Sequence, residues 1–319
     1  MKDIICFFLV GSFFIVSCDM ETVIDLDIPP HESVLVLNGL LDTDTSVQVV
    51  VSHSVSAFNN AVPSFINNAN VLLYKQDQFI DSLFPDLTDL IYVKYYNENN
   101  TDSLPMYYYR SDVFPDKDAV YRVEVYHSDY TSILAETYVP DDIILYNIDV
   151  DTNSSATNPE DEENIGLTFT FDDNPSQQNY YQLRLFGSCK KKYDKDDDWG
   201  RGYLVMLSND PSFPADIPWN GYTFVGNEVL FTDDLFNAQS KTITLDVETK
   251  SKYSECDTIF IEFSTFSDDT YSYYNSLGNH SEKGELGIFG GEVIPVYSNV
   301  KNGLGVLIST NTQQIYLKP

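Results

Sequence analysis

The chain has 319 residues, and 49 acidic side chains against 18 basic ones give a formal charge of −31 at neutral pH. That surplus of carboxylates argues against nucleic acid and against direct binding to anionic lipid headgroups, and favours a solvated exterior. Tyrosine (23) and phenylalanine (20) are abundant, as expected of half-buried sheets, and the length suits two domains better than one.

Met1 and Lys2 precede an apolar run from Ile4 to Val16, broken only by Gly11 and Ser12. As a helix it spans about 20 Å, short of the roughly 30 Å hydrocarbon core, so it reads as a signal-peptide core and not as a membrane span. Ile15-Val16-Ser17-Cys18 has the pattern of a bacterial lipobox. Residues 1–17 are then removed, and Cys18 is diacylated on sulfur and acylated on its new amine. Three chains anchor stably where one anchors only marginally. An ordinary secretory signal with an incidental cysteine is the alternative. Loss of residues 1–17 removes one Lys and one Asp, so the charge is unchanged.

Residues 18–33 are acidic, contain Pro29-Pro30 and have no helical period, which predicts an extended tether. Asp19 and Glu21, just after Cys18, resemble the export signal that sends some Bacteroidetes-type lipoproteins to the outer leaflet. The expected location is the outer membrane, lipid-anchored and facing the exterior.

Residues 34–141 read as a first domain. Val34 to Leu37 form a strand ending at Asn38-Gly39, and Val47, Val49 and Val51 alternate with polar neighbours. Val71 and Leu73 follow, then Ala119, Tyr121, Val123 and Val125 alternate with Arg122 and Glu124, and Ile133 to Val139 closes the set. Side chains two apart share one face of a strand, so each segment offers an apolar face for burial. Short strands at this density predict a β-sandwich of immunoglobulin or prealbumin type. One long loop, Tyr95 to Arg110, is expected to interrupt it as a binding element or an insertion.

Residues 142–319 read as a second, larger β-sandwich-like domain with one short helix, making the chain all-β. Leu167, Phe169 and Phe171 alternate with threonines, as do Ile243, Leu245 and Val247 with Thr242, Thr244 and Asp246. Ile259, Ile261 and Phe263 repeat the pattern around Phe260 and Glu262. The segment from Lys190 to Gly226 reads as irregular. Asp268 or Asp269 is expected to cap a helix carrying Tyr271, Tyr274 and Leu277, with Gly278 ending it.

The lipobox, the extended Val23 to Pro29 segment, the strand ending in Asn38-Gly39, Asn179-Tyr180-Tyr181, Asp268 to Tyr274 and the closing Pro295-Val296-Tyr297-Ser298-Asn299 with Asn302-Gly303-Leu304-Gly305 occur in a telling order. Together they resemble the uncharacterised domain-of-unknown-function-4249 lipoproteins of Bacteroidetes-type bacteria, over essentially the whole mature chain. The resemblance implies an outer-membrane lipoprotein encoded beside a TonB-dependent receptor, its expected partner. No activity or catalytic residue can be carried over from it, and no cofactor other than calcium is expected.

Four candidate sites remain. Cys189 and Cys256, 67 positions apart, either pair in an oxidising envelope, which is worth about 4 kcal/mol by loop entropy, or stay two free thiols. Trp199 and Trp219, the only tryptophans, lie with Tyr203 and Tyr222 in the irregular segment. Flat rings beside Asp and Asn suit sugar recognition, and packing under a long loop is the competing explanation. Asp149, Asp151, Asn153, Thr157 and Glu160 occupy positions 1, 3, 5, 9 and 12 of an EF-hand-like frame, which points to calcium. Ser154, where that frame needs glycine, favours a polar interstrand loop instead. Asp194, Asp196, Asp197 and Asp198 form a second acidic cluster whose spacing fails the same frame.

His31, His53, His127 and His280 are scattered, and the sequence has no HExxH, no GxSxG and no phosphate-binding glycine loop. The expected function is therefore a non-enzymatic accessory that captures ligand for a TonB-dependent receptor. A surface glycan-binding or adhesion module is the alternative, and a carboxylate-pair hydrolase the remaining one.

Overall fold

The computed structural model describes residues 31–56, 64–97, 100–152, 155–157, 164–175, 177–191, 199–215, 221–249, 253–284 and 295–318. The signal segment, Cys18 and all but the end of the tether lie outside them.

Period-two alternation is what the chain converts into strands. The first nine are β1 (Leu35–Asp42), β2 (Gln48–His53), β3 (Asn70–Lys75), β4 (Gln78–Pro85), β5 (Ile91–Asn97), β6 (Asn100–Met106), β7 (Tyr109–Arg110), β8 (Ala119–His127) and β9 (Tyr130–Val139). There follow β10 (Tyr146–Asp151), β11 (Asn164–Asp172), β12 (Tyr180–Lys191), β13 (Trp199–Tyr203), β14 (Val205–Ser208), β15 (Phe224–Gly226), β16 (Glu228–Thr232), β17 (Ser240–Glu248) and β18 (Tyr253–Phe266). A helix, α1 (Asp268–Gly284), and a long last strand, β19 (Leu304–Leu317), complete the described fold. It is all-β apart from that helix.

A twelve-stranded sheet runs β13-β12-β18-β19-β1-β2-β7-β4-β3-β8-β9, with β16 also paired to β12. A five-stranded sheet, β10-β11-β17-β14-β15, lies over its first part. Between them sits a core rich in rings: Phe169 and Phe171 from β11 meet Tyr181 and Phe263 from β12 and β18, with ring centroids 5.0–6.0 Å apart. The other end of the large sheet curls over a second core of Leu35, Leu37, Val49, Val71, Leu73, Tyr121, Val123 and Ile133. A backbone bridge from Leu134 to Lys301 ties β9 to the segment leading into β19. These are sandwich-like arrangements, and Ser33–Pro319 form one compact unit.

β19 is the strand common to both cores. Ile315 and Leu317 pack against the ring-rich core, while Leu307 and the preceding Val300 pack into the second. It runs parallel to β1, Val36 opposite Leu304 through Asp42 opposite Thr310, and antiparallel to β18. Gly305 faces Leu37 in that register with φ +101°, and a Cβ there would stand 2.1 Å from the Leu37 carbonyl oxygen. The turn residues at Asn302 to Gly305 thus admit the close approach of two backbones.

Four local expectations need correction. β1 does not stop at Asn38-Gly39 but runs through to Asp42. A Cβ on Gly39 would lie 2.7 Å from Val49 Cγ1, so glycine there permits packing and does not end the strand. Residues 95–110 are not a loop, since β5 and β6 form a two-stranded hairpin and β7 follows it. Ile91, Tyr92 and Val93 in succession are all exposed, so no buried face imposed an alternation to read. The segment 190–226 holds β13, β14 and β15. Finally, Ser267 caps α1: its Oγ accepts the Thr270 N–H at 3.1 Å and its carbonyl the Tyr271 N–H at 3.1 Å. Asp268 and Asp269 sit in the first turn, where the helix dipole favours acids, and the helix passes through Gly278.

Candidate functional site

Leu183, Leu185 and Cys189 of β12 point into the ring-rich core, so Arg184, Phe186, Ser188 and Lys190 must point the other way. Strand register then aligns one ring from each of four neighbouring strands. Tyr203 of β13 lies opposite Phe186, Phe186 opposite Phe260 of β18, and Phe260 opposite Tyr316 of β19. The Tyr203 and Phe186 centroids are 4.5 Å apart, those of Phe260 and Tyr316 5.0 Å. Tyr203 is 50% and Tyr316 62% exposed, so the row ends in open rings on both sides.

Cations flank this row on one side. The Arg201 guanidinium stands 5.3 Å from the Phe186 centroid and 4.7 Å from that of Phe260. Lys190 Nζ lies 5.1 Å from the ring of Trp199, which is 44% exposed. On the other side runs a hydrogen-bonded polar row. Arg184 pairs with Glu262, Gln182 donates to Glu228, and Gln314 Nε2 donates to Glu262 at 2.9 Å. The Tyr316 hydroxyl donates to Gln314 Oε1 at 3.3 Å, joining the rings to that row. Burial, then the neighbouring Tyr273 and Glu228 charges, raise the Tyr274 hydroxyl of α1 above its usual range.

The same face continues toward β1 and β2 as a groove of about 470 Å³. Leu40, Val50, Val306 and Ile308 floor it, and Tyr108 and Tyr273 rise beside it. Asp42 sits on its edge, its carboxyl pushed up chiefly by burial, with the charges of Asp44 and Glu262 adding to the rise.

The residues singled out from sequence are not all brought together. Trp199 and Tyr203 share the exposed face of β13. Tyr222 does not join them, because it is buried and its hydroxyl donates to Asp246 Oδ2 at 2.6 Å. Asp246, fully buried, also accepts from the Ala156 N–H at 2.6 Å and from the Thr157 hydroxyl. Trp219 lies outside the described residues. Cys189 and Cys256 form a disulfide across β12 and β18. Asp149 and Asp151 are exposed on β10, and the Thr157 hydroxyl of the calcium frame is engaged by Asp246. Asn153, Glu160 and the Asp194 to Asp198 cluster are outside the described residues. Among those described, no cluster of three or more His, Cys, Asp or Glu side chains is placed to hold a metal.

His53 bridges two serines, with Nε2 2.8 Å from Ser64 Oγ and Nδ1 3.1 Å from Ser33 Oγ. Both contacts are at the surface, where water competes for each of them.

Phe186, Arg201, Phe260 and Tyr316 were not evident as site residues from sequence. The signal was present for Phe260 at least, since it is a bulky ring at a position where alternation around Ile259 and Ile261 demands solvent.

A family model described as "Domain of unknown function (DUF4249)" matches residues 21–315. No curated protein matches the chain. Among the described residues, no helix is long and apolar enough to cross a membrane.

Proposed function

Since the chain belongs to the DUF4249 family, whose description names no activity, we propose that it is an outer-membrane lipoprotein that captures ligand for a TonB-dependent receptor and does no chemistry itself. The observation carrying this reading is the open aromatic face of the large sheet. Tyr203 and Tyr316, half or more exposed and held on regular strands joined by backbone hydrogen bonds, bound a preorganised contact surface. The lipobox at Ile15 to Cys18 supports the anchor, and the acidic tether supports a body held off the bilayer.

Two measurements test it. Labelled palmitate should enter the parent chain and not Cys18→Ala, and the variant should leave the membrane fraction. Detergent extraction of the parent should then carry a TonB-dependent receptor with it. A clean pull-down lacking any such receptor counts against the accessory role.

A second reading, a glycan-binding or adhesion module, is favoured by one specific feature. The rings of Trp199, Tyr203 and Tyr316 are 44%, 50% and 62% exposed, and Tyr316 stands beside the hydrogen-bonding Gln314, features that suit sugar recognition. This reading compatibly names what the accessory would capture.

A further inference from the structure

We propose that the outer face of the large sheet binds an acidic oligosaccharide, with the exposed Tyr203 and Tyr316 rings at the two ends of the aromatic row stacking sugar rings and Arg201, lying on Phe186 and Phe260 between them, holding a sugar carboxylate. The inference rests on the glycan-binding reading and adds the ligand's charge and the residue that selects it.

The first argument is geometric. The four rings belong to four adjacent strands in one register row. Neighbouring strands are about 4.8 Å apart, comparable to the length of one pyranose unit. With Arg201 covering its two inner rings, the row therefore offers a short linear saccharide an apolar contact at each end and a guanidinium between them. Cross-strand pairing alone accounts for the ring contacts but not for Tyr203 and Tyr316 remaining 50% and 62% exposed.

The second argument is charge. The chain has four arginines among its 49 acids. Arg110 pairs with Asp86 and Asp89, Arg122 with Asp77 and Glu124, and Arg184 with Glu262. Arg201 has no carboxylate partner among the described residues. It stacks on two phenylalanine rings. Stacking occupies the guanidinium face and leaves its N–H edges for a planar, bidentate acceptor. Glu262, the carboxylate on this face two residues from Phe260, is paired with Arg184, and more distant charges are screened beyond about 8 Å at physiological ionic strength. A rigid ring row with a stacked, outward-facing guanidinium suits a sugar acid better than a neutral sugar.

The test uses the full-length chain in detergent micelles and calorimetric titration with hexamers of galacturonate, mannuronate and guluronate, each as free acid and as methyl ester. At least one free acid should bind, with its ester about tenfold weaker. Arg201→Met should bring acid and ester to the same affinity, while Arg201→Lys restores part of the preference. Tyr203→Ala and Tyr316→Ala should weaken both forms together. Unchanged thermal midpoints certify the folds, and Tyr316→Leu replaces any alanine variant that melts early. Equal binding of acid and ester by the parent, or an acid preference that survives Arg201→Met, overturns the inference and leaves the glycan reading standing. Failure of every acid and every ester overturns both.

Discussion

Replacing Gly305 by alanine should damage the fold far more than its single added methyl implies. A positive φ costs an L-residue about 1–2 kcal/mol. The new Cβ would also stand 2.1 Å from the Leu37 carbonyl oxygen, which is backbone and cannot swing away. Forcing an atom into a filled site adds about 1–3 kcal/mol, making about 2–5 kcal/mol in all. For a chain of this size that lowers the thermal midpoint by roughly 5–15 °C. Gly278→Ala is the control: it lies within α1, with nothing inside 4 Å of the place its methyl group would take. That change should raise stability by about 0.5–1 kcal/mol. Circular-dichroism melts of both variants and the parent decide the matter. If Gly305→Ala melted within a degree or two of the parent, the tight parallel approach of β1 and β19 would be wrong.

Asp246→Ala leaves the buried Tyr222 hydroxyl, and with it the exposed Thr157 hydroxyl and Ala156 N–H, without the Asp246 acceptor, and should cost about 1–3 kcal/mol in urea unfolding; a loss under about 0.5 kcal/mol would refute the clasp. Asp42 has a folded pKa raised above 3.8 by burial. Its ionisation therefore opposes folding as pH rises through the folded value, a penalty absent below the unfolded one. Asp42→Asn, which keeps the acceptor for the Asp44 N–H, should be more stable than the parent at pH 7, with the difference vanishing near pH 3; equal urea midpoints at pH 7 would refute this. Reducing the Cys189–Cys256 bond, which spans 67 positions, should lower stability by about 4 kcal/mol, and a midpoint indifferent to a phosphine reductant would argue against the bond.

Where one strand face is buried, the residues announced it. Ala119 to Val125, Leu167 to Phe171, Ile243 to Val247 and Ile259 to Phe263 all alternate, and all are strands whose inward-facing apolar members are buried. The hairpin of β5 and β6 carried no such message because its Ile91, Tyr92 and Val93 are all exposed. Asp246 misled differently: it occupies the polar register of β17, yet residues 155–157 cover it. That cover also removed Tyr222 from the aromatic site, a tertiary fact with no local trace. The ring row was half legible. Each outward aromatic can be found from alternation, but aligning Tyr203, Phe186, Phe260 and Tyr316 requires knowing which strands are neighbours, and β18 meets β19 only through chain-distant pairing.

The partnership of β1 with β19 joins residues 268 positions apart. During synthesis β1 emerges 268 positions before its parallel neighbour, so the second core stays incomplete until β19 follows. Folding must be slow and late, since so long a loop is closed before its contacts repay the lost entropy.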